Sequence, residues 1–283
     1  MVHPLLSSSR TVDNADSVDA RALAAPIINM LARLHVLVIG PGLGRDSVTL
    51  KVVTEVMKEA RSRSIPFVLD ADGLFLVTSN LDLIKGYDNC ILTPNVNEFK
   101  NLAIAAGIQA PSQAQVKASG EEKVQKETEA CEKLANALDG VTIVQKGAND
   151  VISNGISTIV SDVEGGYKRS GGQGDTLTGL LGTLMAWRSA YHNKLWDTGE
   201  KDHANNAVTD AAVKDELHSV EKRMSPATTL ILAAFAGSGM TRECSRRAFK
   251  IKKRSLQASD LTDQVQDSFL SLIGEPAGSK AVL

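Results

Sequence analysis

The 283-residue sequence predicts one α/β domain, with a mainly parallel sheet and an antiparallel hairpin at the sheet edge. Three observations carry that expectation. Helical and strand patterns alternate along the chain. The strand segments are short continuous apolar runs, the pattern of strands covered on both faces. Most of these runs end in a segment rich in glycine, carboxylate or amide. No internal repeat and no break in composition marks a second domain.

Taken in order, Leu34-His-Val-Leu-Val-Ile39 reads as the first strand. Ser47 to Ser62 has helical spacing, with Val48, Val52, Val56 and Met57 on one face. Pro66-Phe-Val-Leu-Asp70 and Cys90-Ile-Leu-Thr93 are the next strands, the latter ended by Pro94, and a helix follows from Val96 to Ala106. Gln113 to Leu138 reads as a long charged helix interrupted at Gly120, and Val141-Thr-Ile-Val-Gln145 as the fourth strand. Val151-Ile-Ser153 and Ile156-Ser-Thr-Ile-Val160, joined around Asn154-Gly155, form the edge hairpin. The apolar run Thr176 to Trp187 has helical length, and helices near 226–250 and 261–273 complete the layer. Trp196 to Met224 is polar and irregular, and reads as a surface insertion.

Composition excludes several classes. Hydrophobic residues at 43% and charged residues at 23% describe an ordinary soluble globule. A net charge of −2 argues against nucleic acid or an anionic membrane as the main partner. The basic cluster Arg246 to Arg254 reads as a solvated face with helix C-terminal charge. Cys90, Cys131 and Cys244 are scattered without metal spacing, which fits a reducing compartment and a cytoplasmic location. The five histidines form no pair at ligand spacing, so no zinc site is indicated. No run reaches transmembrane length, and Met1 to Arg10 lacks the apolar core of a signal peptide. A homo-oligomer is left open.

In open parallel sheets, ligands bind beyond the carboxyl ends of the strands. Those ends carry Gly40-Pro-Gly-Leu-Gly44, Asp70-Ala-Asp-Gly73, Pro94-Asn-Val-Asn-Glu98 and Lys146-Gly-Ala-Asn-Asp150. The most informative segment is Gly165-Gly-Tyr-Lys-Arg-Ser-Gly-Gly-Gln-Gly-Asp175, which opens the apolar helix. Its glycines let backbone N–H groups at a helix N-terminus approach phosphate closely. Lys168 and Arg169 add positive charge. Asp175 competes with phosphate for the same donors, which points to a base beside a phosphoryl group; the plain alternative is a helix cap. Each loop alone is weak, but five on one edge favour a nucleotide or phosphate site. A dinucleotide fingerprint fails at Arg45, which stands where a small residue belongs, and there is no Walker loop.

Gly171-Gly-Gln-Gly-Asp175 together with Asn95-Val-Asn-Glu98 resembles the ribokinase-like class. That resemblance implies a three-layer α/β/α sandwich, an anion hole ending in a catalytic aspartate, and an Asn-x-x-Glu element that helps hold magnesium. Within the class, Gly40 to Asp46, Leu69 to Gly73, Thr93 to Phe99, Gln145-Lys-Gly147 and Arg169 to Asp175 resemble the ATP-dependent NAD(P)H-hydrate dehydratase family, in order from about Ile27 to Ile273 and most like fungal members. The resemblance implies ATP-driven return of (S)-NADHX or NADPHX, the hydrated cofactors, to NADH or NADPH, with release of ADP and phosphate.

By the same resemblance, Gly42, Gly44, Asn95, Val96, Asn97, Glu98, Phe99, Lys100 and Asn101 contact the hydrated nucleotide, and Asp175 faces its hydroxyl as the base. ATP falls to Lys146, Gly147, Ala148, Asn149 and Asp150, and to Gly165, Gly166, Tyr167, Lys168, Arg169, Ser170, Gly171, Gly172, Gln173 and Gly174. Glu98 holds Mg2+ through water. The plain alternatives are a solvated first-turn residue for Glu98 and a solvated edge strand for Lys168 and Arg169. Family members begin with a further βαβ segment carrying a Tyr-Thr-Gly-Ala-Pro-like element. This chain starts past that point, so an exposed sheet edge and lowered stability are expected. Two rival readings remain: a small-molecule kinase of the same fold acting on a vitamin precursor, and an inert nucleotide-binding form.

Overall fold

The computed structural model describes residues 2–108, 120–202, 209–219 and 221–274. Six strands form one sheet: β1 Leu37–Ile39, β2 Phe67–Leu69, β3 Cys90–Leu92, β4 Thr142–Gln145, β5 Asp150–Ser153 and β6 Thr158–Ser161. They lie side by side in chain order. The first four are parallel, with Leu37 opposite Phe67 and Phe67 opposite Cys90; β5 and β6 turn antiparallel, giving the expected edge hairpin.

The helices are α1 Ala20–Met30, α2 Ser47–Ser62, α3 Asp72–Thr78, α4 Val96–Ala105, α5 Gly120–Ala137, α6 Gln173–His192, α7 Asp210–His218, α8 Pro226–Lys252, α9 Ala258–Thr262 and α10 Val265–Ile273. Their starts follow local chemistry. Asp46 accepts from the N–H groups of Val48 and Thr49 at the head of α2. Asn95 and Glu98 form a reciprocal capping box on α4. Ser225 accepts from Thr228 N–H, with Pro226 in the first turn of α8.

Strand alternation divides the interior in two. Phe67 and Leu69 of β2 point into a core shared with Val52 and Met57 of α2 and Leu134 of α5. Val68, between them, points to the opposite face, where Leu177, Leu181 and Met185 of α6 meet Leu230, Ile231 and Ala234 of α8. Helices on both faces of one sheet make the three-layer sandwich that the ribokinase-like resemblance implied.

Several expectations need correction. The first strand is an edge strand of three residues, and Val38 is 43% exposed rather than buried on both faces. The last strand starts at Thr158 because Asn154 Oδ1 accepts from Ile156 N–H and Ser157 N–H, which holds Ile156 in the turn. Helices α1 and α3 are additional. Proline 26 lies within α1, and α3 has only seven residues directly after a segment that reads as a loop. The stretch from Trp196 to Met224 is not wholly irregular, since it contains α7, started by Thr209 accepting from Ala212 N–H. The final helix divides into α9 and α10. The predicted helical segment 113–119 lies outside the described residues. Among the described residues, no helix is long and apolar enough to cross a membrane.

Candidate active site

Because β1 to β4 are parallel, their carboxyl ends share one edge, and four loops meet there. The first two touch main chain to main chain. Asp70 N–H donates to Ile39 O (3.2 Å). A Cβ on Gly40 would lie 1.8 Å from Asp70 O, and one on Gly73 would lie 2.5 Å from Ile39 O. Only glycine fits at either place. Between them Ala71 adopts φ 47°, ψ −116°, a strained conformation for a residue with a Cβ.

The bend at Ala71 separates two carboxylates. Asp70 is 4% exposed, and its Oδ1 accepts from Lys146 Nζ at 2.7 Å. Asp72 turns the other way: its Oδ2 accepts from Gly44 N–H (3.0 Å) and its Oδ1 from Arg45 Nε (2.8 Å). The Arg45 guanidinium lies over the Phe75 ring, 4.3 Å from its centre. A cleft of about 520 Å³ between α3 and α4 is lined by Arg45, Phe75, Glu98 and Asn101, among others.

The third and fourth loops are tied to the same place. Thr93 N–H and Oγ1–H both donate to Leu69 O, at 3.0 and 3.1 Å. Lys146 N–H donates to Pro94 O at 2.8 Å. Asp150, expected as an ATP contact, faces inward instead. It accepts from Gly147 N–H and Arg242 Nη1 on one oxygen and from Ser238 Oγ on the other, at 3.0, 3.1 and 2.8 Å. Arg242 also donates to Val163 O and Ala148 O, so Asp150 sets the shape of the Lys146–Asp150 loop from within.

The glycine segment delivers the N-terminus of α6. Gly172 takes φ 90° and supplies no side-chain cap, so the helix starts at Gln173, three residues before the apolar run. Asp175 is therefore the third helical residue, exposed, and no hydrogen bond reaches its carboxylate among the described residues. The cap reading does not hold. Gly174 lies over the buried pair: a Cβ on it would be 2.9 Å from Asp70 Oδ2 and 3.9 Å from Lys146 Nζ.

Lys168 does not point freely at an anion and does not sit in an edge strand. Its ammonium donates to Arg254 O (2.6 Å) and Leu256 O (2.8 Å), while Gln173 Nε2 donates to Lys168 O (3.2 Å). This pins the segment to the turn after α8. Arg169 is exposed; Ser170 Oγ is buried with no hydrogen-bond partner among the described residues, and Gly166 N–H donates to Ser245 Oγ (3.3 Å). Tyr167 is exposed, its hydroxyl donating to Glu164 and its ring edge-on to Phe249.

On the other side of the cleft, Val96, Asn97 and Lys100 are exposed, whereas Phe99 is buried in the α2–α5 core. Glu98 Oε2 accepts from Asn95 N–H at 2.8 Å, which leaves Oε1 outside the capping box. No cluster of three or more metal-ligating side chains occurs among the described residues. One carboxylate oxygen suits an ion held mainly by water and nucleotide phosphates, as Mg2+ is, so the donor set fits that ion and no dedicated cage. Asp70, Asp72 and Arg45 are polar residues at this edge to which the sequence alone gives no role. Asp70 sits at a strand end, but its partner lies 76 residues away.

The family profile described as NAD(P)H-hydrate dehydratase matches residues 1–267. The chain belongs to the NAD(P)H-hydrate dehydratase family. An Aspergillus fumigatus protein named ATP-dependent (S)-NAD(P)H-hydrate dehydratase is 68% identical over 285 residues, covering 100% of this chain and 77% of that protein. A protein of the same name from Emericella nidulans is 70% identical over 282 residues, covering 99% and 76%. The chain thus spans about three quarters of the length of these family members. Solved structures share the fold alone. A ribokinase-like superfamily protein from Enterococcus faecalis aligns with TM-score 0.54 at 16% identity over 89% of this chain and 68% of its own. A hydroxyethylthiazole kinase from Pyrococcus horikoshii aligns with TM-score 0.54 at 15% identity over 91% and 84%.

Proposed function

We propose that the chain is an ATP-dependent (S)-NAD(P)H-hydrate dehydratase, which returns hydrated NADH or NADPH to the reduced cofactor. The observation that carries the reading is Asp175: an uncommitted carboxylate in the first turn of a helix whose glycine-rich start lies beside Lys146. Identity of 68% and 70% along this chain to proteins named for this activity, over about three quarters of their length, supports it.

Hydration of the nicotinamide ring leaves a hydroxyl next to the ring nitrogen. Hydroxide is a poor leaving group, so its expulsion at neutral pH needs activation. Asp175 accepts the hydroxyl proton as the oxygen attacks the γ-phosphorus of ATP, and ADP departs. The N–H groups of Gly171 to Gly174 stabilise charge developing on the transferred phosphoryl group. Lys146, Gly147, Ala148 and Asn149 hold the phosphates with the glycine-rich start of α6, while Asp150 shapes their loop from within and Lys168 anchors the glycine segment to the turn after α8. The ring nitrogen lone pair then expels phosphate, and loss of the neighbouring ring proton restores the double bond.

Gly42, Gly44, Asn95, Val96, Asn97, Glu98, Lys100 and Asn101 receive the hydrated nucleotide in the cleft beside Arg45, with Phe99 packed in the core beneath them. Glu98 holds Mg2+ through water, and the ion, when bound, neutralises phosphate charge. Three free buried cysteines fit a reducing, cytoplasmic setting.

The test is direct. Protein, Mg-ATP and hydrated NADH together should regenerate the reduced-nicotinamide absorbance, with one ADP and one free phosphate per NADH. Equal recovery without nucleotide, or accumulation of a stable phosphorylated product, overturns the reading; the second outcome favours a kinase.

A further inference from the structure

Asp70 is a buried carboxylate to which the reaction above gives no role. A buried charge persists only when paired, and its partner is Lys146, at 2.7 Å. The main chain of Lys146 is already fixed by Pro94 O. Its four-carbon stem is the remaining freedom, and Asp70 removes it before any ligand arrives. The pair sits directly under the start of α6, since a Cβ on Gly174 would come within 2.9 Å of Asp70 Oδ2 and 3.9 Å of Lys146 Nζ. Phosphate oxygens seated on the Gly171 to Gly174 N–H groups are therefore within the neighbourhood of that ammonium.

Asp72, two residues on, holds the other half of the cleft through Gly44 N–H and Arg45 Nε. The strained backbone at Ala71, locked by the Gly40–Gly73 contact, sends the two carboxylates to different halves.

We propose that Asp70 is a positioning residue that aims Lys146 at the transferred phosphoryl group, and that Asp70-Ala71-Asp72 is a rigid connector between the nucleotide and substrate halves of the site. The proposal rests on the reading of Lys146 as an ATP contact. Preorganising a cation in this way acts on the transition state more than on ground-state binding. Asp70 also places negative charge near the phosphates, so its removal does not weaken ATP binding.

The experiment compares Asp70→Asn, Asp72→Asn, Lys146→Gln and the Asp70→Asn/Lys146→Gln double variant in the full chain. Fold is checked by thermal melting, and affinity for a non-hydrolysable ATP analogue is measured by calorimetry, independently of turnover. Asp70→Asn should lower kcat roughly 10- to 100-fold, with analogue affinity unchanged or tighter. Asp72→Asn should instead raise KM for the hydrated nucleotide and move kcat much less. The double variant should be no slower than Lys146→Gln, because Asp70 acts through that lysine.

Additive losses in the double variant show that Asp70 acts on its own and overturn the proposal. A raised Mg2+ requirement in Asp70→Asn makes it a metal ligand and overturns it too. Normal kcat with a lowered melting point leaves Asp70 a merely structural residue. Wild-type protein that binds the analogue but turns over no hydrated nucleotide refutes the dehydratase reading, not the pairing. Should Lys146→Gln fail to fold, unchanged kcat in Asp70→Asn alone still refutes the proposal.

Discussion

Asp175→Asn keeps the size and polarity of the side chain while removing the base. Since no hydrogen bond reaches the Asp175 carboxylate among the described residues, helix α6 should be unaffected. Turnover of hydrated NADH should fall by roughly 10²-fold or more, while ATP-analogue affinity holds or improves. Near-normal turnover would remove Asp175 from the chemistry. Glu98→Gln is the companion case. Glutamine can still accept from Asn95 N–H, so the capping box survives, and only the charge on the free oxygen is lost. The Mg2+ concentration for half-maximal rate should rise at unchanged melting temperature; no shift in that titration excludes Glu98 as the ion's holder. The placement of both residues in the first turn of a helix is legible in the sequence, because each stands in a short motif with a fixed local geometry. The partner of Asp70 is not, because it is a lysine in the loop after β4, 76 residues away. The partners of Lys168 are equally hidden in the sequence: its neighbours are glycines, but its ammonium donates to the carbonyls of Arg254 and Leu256.

Elements were legible where burial imposes a period. Strands β2, β3 and β4 fall where short apolar runs place them, and α2 matches its predicted bounds through a one-sided valine pattern and the Asp46 cap. Element ends that rest on turns shifted, as at Ile156 and at the glycine start of α6. The two helices that cover the Val68 face of the sheet are joined at one edge by His192 of α6, whose Nε2 lies 2.7 Å from Thr229 Oγ1 in the first turn of α8. Burial first, then the nearby Arg188 and Arg223 charges, depress its pKa from 6.5 to about 4. The fold therefore keeps His192 neutral where an unfolded chain would bind a proton. Its contribution is fully present above about pH 6.5 and is lost as pH falls toward about 4. Allowing for partial solvent access, this amounts to on the order of 1–2 kcal/mol. Denaturant unfolding at about pH 7 and about pH 4.5 should show a smaller acid loss in His192→Gln than in the parent chain. Equal losses in the two proteins would take His192 out of the acid response.

At the scale of the whole molecule, one sheet supplies the inner wall of both cores, so neither helical layer has a stable interior without the other. Phe67 and Leu69 face one core and Val68 the other, on a strand of only three residues. Losing packing on either face should loosen the strands that carry Asp70, Thr93 and Lys146 together. Leu134 on α5 and Leu181 on α6 are both fully buried, on opposite faces. Each Leu→Ala change should cost about 2–5 kcal/mol through lost burial and the cavity left behind. The two tryptophans make the coupling measurable. Trp187 lies in α6, edge-on to Phe269 at 5.8 Å, and Trp196 follows the same helix, so both report on one layer. Leu134→Ala lies in the other layer, yet it should shift the tryptophan fluorescence transition as far as the circular dichroism transition. Coincident curves in both variants establish one cooperative unit spanning the sheet. A fluorescence transition that stays in place while the helical signal moves would mean that the layers unfold separately, and the layer carrying Asp175 would then persist without the one carrying Glu98.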